Sequence, residues 1–276
     1  MPITKLETVF KGQLSGLAVN NDASDLNNNI NFAIGSASDS TGVANITLTS
    51  PIVKQLDTVW SAGTLGGGLD TGTKTSSQSY HMFIIKNPSN GLVDALFSLS
   101  ATAPTLPSGY TLFRRVASMY TDASANWAQF SQHGDYFFPS ATQVGYSVDN
   151  VAAVTNTAIG IGFVPQGIQV KLIGQGHCSA VNNQTTGYAW FSAIGQSAPA
   201  ANSVTMGGGN VESSVMMASG SHTAGEASAN WHQNQTTFVL LTNTSAQIIL
   251  TSNPGSLGGN VNVRVRVQGW IDARGQ

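Results

Sequence analysis

Charged residues are scarce in this 276-residue chain, at 9% of the total against roughly 25% in an average soluble domain. Eleven Lys and Arg residues stand against 13 Asp and Glu residues, and the net charge at neutral pH is -2. This composition excludes a charge-rich disordered chain and offers no basic stripe for a phosphate backbone. We therefore expect no nucleic-acid partner and a surface of uncharged polar groups.

Cysteine and long apolar runs are also scarce. The single cysteine, Cys178, excludes an intrachain disulfide and a cysteine-rich zinc cluster. No stretch approaches the roughly 20 apolar residues that a transmembrane helix needs, so we expect no membrane insertion. Residues 1–7 lack the apolar block of a secretory signal, and we expect a product that is cytosolic when made and complete as written.

What the chain has throughout is period-two alternation. Near the C-terminus four valines, at 261, 263, 265 and 267, alternate with Asn262, Arg264, Arg266 and Gln268. Successive side chains of a strand point to opposite faces, so the pattern predicts a half-buried strand with a valine face and a polar face. Losing this strand would unfold its domain.

Two hairpins are predicted in the first half. One pairs residues 30–34 with 44–48 across a turn-forming cluster at 35–42, which is rich in Gly, Ser and Asp. The other pairs 80–85 with 92–97 across residues 87–91. The second hairpin is almost continuously apolar, which predicts strands that are covered on both faces.

One helix is predicted near residues 51–60. Ser50 and Pro51 suit the N-cap and the first helical position. Ile52, Leu56 and Val59, with their neighbours Val53 and Trp60, fall on one helical stripe. The glycines that follow, at 63 and 66–68, would end this helix.

These patterns predict an all-β protein of two β-sandwich domains, similar to jelly rolls, with the short helix in the first. The apolar pattern weakens between residues 140 and 157 and then resumes. We place the N-terminal domain at residues 1–148 and the C-terminal domain at 149–276.

Three stretches together resemble a family of tailed-bacteriophage virion proteins known as tail-fibre, tail or receptor-binding proteins. The first comprises residues 16–25 (GLAVNNDASD) and 27–31. The second comprises 68–72 (GLDTG), 80–85 (YHMFII), 93–98 (VDALFS) and 104–115 (PTLPSGYTLFRR). The third is residues 269–275 (GWIDARG). The resemblance is good over residues 16–119 and sparse afterwards.

The resemblance implies a non-enzymatic structural protein of the virion, assembled in the host cytoplasm. We expect a tail-fibre or receptor-binding component that attaches the phage to the host surface. Its expected partners are two further copies of itself, as a homotrimer, other virion proteins and a host surface glycan. One alternative is a head decoration or head-fibre protein that stabilises the capsid, and another is a surface-glycan hydrolase.

Candidates for catalysis are few. Glutamate occurs only at positions 7, 212 and 226, and the best acid pair for a glycan hydrolase is Glu212 with Glu226. No Gly-x-Ser-x-Gly elbow occurs with a matching His and acid. We expect no enzymatic activity and no cofactor.

Two groups deserve consideration as metal ligands. His177 lies beside Cys178, but adjacent strand residues point to opposite faces and would not share one ion. Asp22 and Asp25 lie in an Asn-rich segment that could hold Ca²⁺, although turn chemistry also explains these residues. We expect no metal site.

Receptor contacts are predicted among the aromatic residues of the second half. Tyr188, Trp190, Trp231 and His232 could stack on a sugar ring while Asn and Ser neighbours bind its hydroxyl groups. Core packing is the alternative for Trp190. Arg264 and Arg266 share a strand face and could bind an anionic sugar. The alternatives are that this face is only solvated or that it forms a salt bridge between subunits.

Overall fold

The computed structural model describes residues 11–181, 187–196, 215–219, 233–253 and 260–274. In this part of the chain all regular elements are strands, which confirms the all-β prediction. The chain divides into two units, Met1–Ser140 with Asp272–Gln276, and Ala141–Ile271. The boundary placed between 148 and 149 from the sequence falls inside a strand of the second unit, Gln143–Val151.

Short strands dominate the described residues of the first unit. They are β1 Leu14–Gly16, β2 Val19–Asn21, β3 Asn29–Phe32, β4 Gly35–Ser38, β5 Asn45–Leu48, β6 Ile52–Val59, β7 Gly66–Leu69, β8 Ser79–Lys86, β9 Val93–Ser98, β10 Leu112–Tyr120, β11 Phe130–His133 and β12 Tyr136–Pro139.

A seven-stranded sheet organises this unit, in the order β10-β8-β9-β7-β6-β3-β2. Strand β7 pairs in parallel with β6 and β9, and the other neighbours are antiparallel. A three-stranded sheet, β1-β4-β5, contacts β8, β9 and β10 through β5. The antiparallel pair β8–β9 confirms the hairpin predicted between residues 80–85 and 92–97.

Apolar side chains cover both faces of this sheet. On one face Phe97 stacks on Phe32 and meets the edge of Trp127, with ring centroids 6.0 and 5.1 Å apart. On the other face Phe83 and Leu96 belong to a separate buried cluster. Strand β8 is therefore buried along most of its length, as its continuous apolar sequence predicts.

The hairpin predicted between residues 30–34 and 44–48 is wrong. Residues 35–38, expected to form the turn, are strand β4, which pairs with β1 and β5. Strand β3 pairs instead with β2 and β6. Small side chains allow this close packing: a Cβ on Gly35 would lie 2.4 Å from the backbone nitrogen of Leu17.

The helix predicted near residues 51–60 is also wrong, because Ile52–Val59 is strand β6. Its inward positions are Ile52, Lys54 and Leu56, all buried. Because the central inward residue is a lysine, the alternation of apolar and polar residues expected of a strand is interrupted. The apolar residues that remain fit the spacing of a helix. The Lys54 ammonium group is buried because Asp94 lies 3.3 Å away and two backbone carbonyls accept its hydrogen bonds.

The second unit is a β-sandwich. Its described strands are β13 Gln143–Val151, β14 Val154–Gly160, β15 Lys171–Val181, β16 Gly187–Ser192, β17 Val215–Ser219, β18 Gln233–Leu241, β19 Gln247–Asn253 and β20 Asn260–Ile271. They form two sheets, β13-β20-β15-β18 and β14-β19-β16-β17.

The core of this unit lies between its two sheets. All four valines of the predicted C-terminal strand are fully buried, which confirms the valine face of β20. Phe191 of one sheet stacks on Phe238 of the other at 5.4 Å. Gly174 on β15 leaves room for the Phe238 ring, since a Cβ there would lie 2.6 Å from it.

Candidate functional site

The outer face of the sheet β13-β20-β15-β18 carries the candidate site. On β20 the valines face the core, so Arg264 and Arg266 point away from it. On β15 the buried positions include Gly176 and Cys178, so Gln175 and His177 point outward in the same way. Two strands far apart in sequence therefore present their polar residues on one surface.

Strand register brings these side chains together. His177 lies opposite Arg264 on β20 and opposite Gln235 on β18. Gln175 lies opposite Arg266 on β20. Directly opposed side chains of an antiparallel pair have Cβ atoms about 4.5–5.5 Å apart. The five residues line one open groove of about 210 Å³, here called the Arg/His groove.

The two arginines of the Arg/His groove differ in their partners. Arg264 Nη2 lies 2.8 Å from Asp149 Oδ1, and the two side chains are 34% and 59% exposed. Arg266 is exposed and makes no ion pair or hydrogen bond with any described residue. Its guanidinium group has five N–H donors, which are available to a ligand with oxygen acceptors.

The amide and imidazole groups complete the chemistry of the groove. Gln175 and Gln235 each carry both a donor and an acceptor, as a sugar hydroxyl does. His177 Nδ1 is shielded from solvent and has no hydrogen-bond partner among the described residues. The groove is thus rich in donors and suits an oxygen-rich ligand bound by hydrogen bonds.

An apolar patch adjoins the groove on the same sheet face. Ile173 lies opposite Val239, and Leu241 lies one row further along β18. Val239 and Leu241 are 51% and 44% exposed. The outer face therefore combines the polar groove with neighbouring apolar side chains, among which Lys171 lies opposite Leu241, and these apolar side chains can also contact the C–H face of a sugar ring.

Two of the four aromatic residues predicted as receptor contacts, Tyr188 and Trp190, lie on β16, in the other sheet of the second unit. Trp190 on β16 is only 3% exposed, so it belongs to the core and is corrected from a receptor contact to a packing residue. The next residue on this strand, Phe191, stacks on Phe238 across the core, so alternation directs the Trp190 ring to the other face of its own sheet. Tyr188 lies on the same strand, opposite Ala218 and Asn253. Trp231 and His232 lie outside the described residues, as do Glu212 and Glu226.

The considered metal ligands have structural explanations. His177 points outward, whereas Cys178 is fully buried and its burial raises the pKa of the thiol to about 12. Asp22 accepts hydrogen bonds from Ser24, and Asp25 accepts them from the backbone of residues 27 and 28. Among the described residues no three His, Cys, Asp or Glu side chains come together.

The three stretches that carry the phage resemblance meet in the first unit. Arg115 of the second stretch makes a bidentate ion pair with Asp272 of the third, at 2.5 and 2.9 Å. Arg274 Nη1 donates to the carbonyl of Gly16 in the first stretch, at 3.2 Å. Arg274 also pairs with Asp135. We call these five residues, Gly16, Arg115, Asp135, Asp272 and Arg274, the C-terminal clamp. Their bonds stabilise the fold.

A buried histidine lies next to the C-terminal clamp. His81 on β8 is 1% exposed, and its Nδ1 lies 2.8 Å from Ser118 Oγ. Burial and the positive charge of Arg115 lower the pKa of His81 to about 4, with Asp272 opposing them. The ring is therefore neutral in the folded protein at neutral pH.

Acid is expected to destabilise the protein through His81. The His81 imidazole takes up a proton below pH 6.5 in the unfolded state and only near pH 4 in the folded state. Stability therefore falls as the pH is lowered from 6.5 to 4. The loss from this group is about 3 kcal/mol. Urea unfolding of the wild type and a His81→Gln variant at pH 7 and pH 4 measures it. An equal pH dependence in both proteins would contradict this role.

No known family model matches the chain. No curated protein matches it either. It is similar to a chain in the "Structure of infectious bursal disease virus Gx strain", with 13% identity, a TM-score of 0.21 and coverage of 100% of this chain and 76% of that one. At this TM-score the similarity supports no argument about function. None of the described residues forms a helix with the length and apolarity of a bilayer-crossing segment.

Proposed function

We propose that the chain is a structural protein of a tailed-bacteriophage virion, a tail-fibre or receptor-binding component that attaches the particle to a host surface glycan. It is assembled in the host cytoplasm, works as a homotrimer with other virion proteins, and is not an enzyme. Two observations support the proposal: the resemblance of residues 16–119 to phage virion proteins, and the Arg/His groove of the second unit.

The groove is the observation that carries the proposal. Its five polar side chains stand on three adjacent strands of a packed sheet, so their positions are held by the β-sandwich beneath them. An open, donor-rich surface suits reversible binding of one part of a long saccharide. Three copies on one fibre would raise a weak single-site affinity through avidity.

The C-terminal clamp supports the same proposal from the first unit. Four of the residues that carry the resemblance bond to one another: Arg115 pairs with Asp272, and Arg274 donates to the carbonyl of Gly16. The role of these residues is therefore structural, because their bonds stabilise the fold of the first unit. A rigid, weakly charged β scaffold suits a particle protein, because its stability depends little on salt.

Labelled virions test the proposal. Gold-labelled antibodies against the chain are expected to mark the tail in electron micrographs, and the free protein is expected to inhibit adsorption of the phage that encodes it. Labelling of the head without inhibition would instead identify a decoration or head-fibre protein. Glycan cleavage that is lost in Glu212→Gln or Glu226→Gln would identify a hydrolase.

A further inference from the structure

We propose that the Arg/His groove binds an oxyanion of an acidic saccharide, a phosphate or a carboxylate, with Arg266 as its main contact. This inference rests on the proposed function and names the class of glycan that the second unit recognises. Three observations carry it: where the positive charges lie, which of them is unpaired, and how large the groove is.

The positive charges of the second unit are gathered on one surface. Residues 141–271 contain three Lys and Arg residues, Lys171, Arg264 and Arg266. All three are at outward positions of the sheet β13-β20-β15-β18, on two neighbouring strands. The strands of this unit are otherwise almost uncharged, so this face is where an anion is attracted.

Arg266 is the cation that is free to bind. Asp149 already partly neutralises Arg264 at the edge of the sheet. Arg266 has no such acid, and its neighbours across the strands are Val144 and Gln175. The guanidinium and the amide can therefore donate to the same ligand from adjacent strands. A guanidinium group binds a carboxylate or phosphate through two parallel hydrogen bonds.

The size and charge of the groove favour a saccharide. At about 210 Å³ it is smaller than the pockets that enclose a drug-sized ligand, about 300–1,000 Å³, and so fits one charged unit of a longer chain. Three cations are fewer than the 6–10 phosphate contacts of a typical nucleic-acid site. The two glutamines match hydroxyl groups, which a repeating polysaccharide supplies.

Binding of defined polymers to the full chain tests the inference. The probes are poly(glycerol phosphate), polygalacturonate and uncharged dextran, and the readout is calorimetric affinity at low salt. We expect binding to at least one of the two anionic polymers and none to dextran. Arg266→Gln should weaken that binding by about tenfold or more. Lys171→Gln, which removes the same charge from the same sheet face outside the groove, should change it less than threefold.

Other outcomes overturn the inference. The inference is overturned if Arg266→Gln binds as tightly as wild type, or if Arg266→Gln and Lys171→Gln lose equal affinity. It is also overturned if the protein binds dextran alone, or binds none of the polymers. A change of oligomeric state in Arg266→Gln, measured by sedimentation, would make the face a subunit interface instead. If the free wild-type protein blocks adsorption and Arg266→Gln blocks it equally well, attachment stands while the oxyanion site falls.

Discussion

Replacing Lys54 with methionine is expected to lower the free energy of unfolding of the first unit by about 3–5 kcal/mol. The lysine is fully buried, and its ammonium group lies 3.3 Å from the Asp94 carboxylate. It also donates to the carbonyls of Ser61 and Gly63, at 2.6 and 3.2 Å. Methionine fills similar volume but leaves a buried carboxylate and two carbonyls without this partner.

The measurement is urea unfolding of the full chain, with hydrogen exchange of β6 and β9 to locate the loss in the first unit. Lys11→Met is the matched control, because Lys11 is exposed and surface substitutions change stability by about 0.5 kcal/mol or less. The double variant Lys54→Met with Asp94→Asn should regain part of the loss by removing the unpaired charge. Equal stability of Lys54→Met and the control would refute the prediction.

This ion pair also explains where sequence reasoning about the fold failed. The period of two identified β20, whose inward residues are four valines, and a nearly continuous apolar sequence identified the β8–β9 hairpin. In β6 the inward residue is a lysine, and its partner Asp94 lies 40 positions away on β9. A buried charge is recognisable only with its partner in place, so alternation alone misleads here.

The candidate site was predictable in part. Alternation on β20 placed Arg264 and Arg266 on one face, and alternation on β15 separated His177 from Cys178. Gln175 and Gln235 were missed. Their position beside the arginines depends on the register of three strands distant in sequence, which no local pattern encodes.

The C-terminal clamp is expected to show how strongly burial governs an arginine–aspartate pair. Asp272→Asn should lower the free energy of unfolding of the first unit by about 3–5 kcal/mol, because it leaves the Arg115 guanidinium buried without its bidentate partner. The side chains of this pair are 10% and 1% exposed. Asp272 also accepts the backbone N–H of Arg274, so the variant loosens residues 272–274 as well.

The second unit supplies a matched control for the clamp. Arg264 and Asp149 form the same chemical pair at 2.8 Å, with side chains 34% and 59% exposed. Asp149→Asn should therefore change the free energy of unfolding by only about 0–1 kcal/mol. Urea unfolding of both variants compares them directly, and equal losses would contradict the prediction. Arg115→Lys, which keeps the charge but loses the fork of two donors, should fall between wild type and Asp272→Asn. This order of stabilities, with wild type highest and Asp272→Asn lowest, would show that the clamp depends on directed hydrogen bonds in a site that excludes water, and not on charge alone.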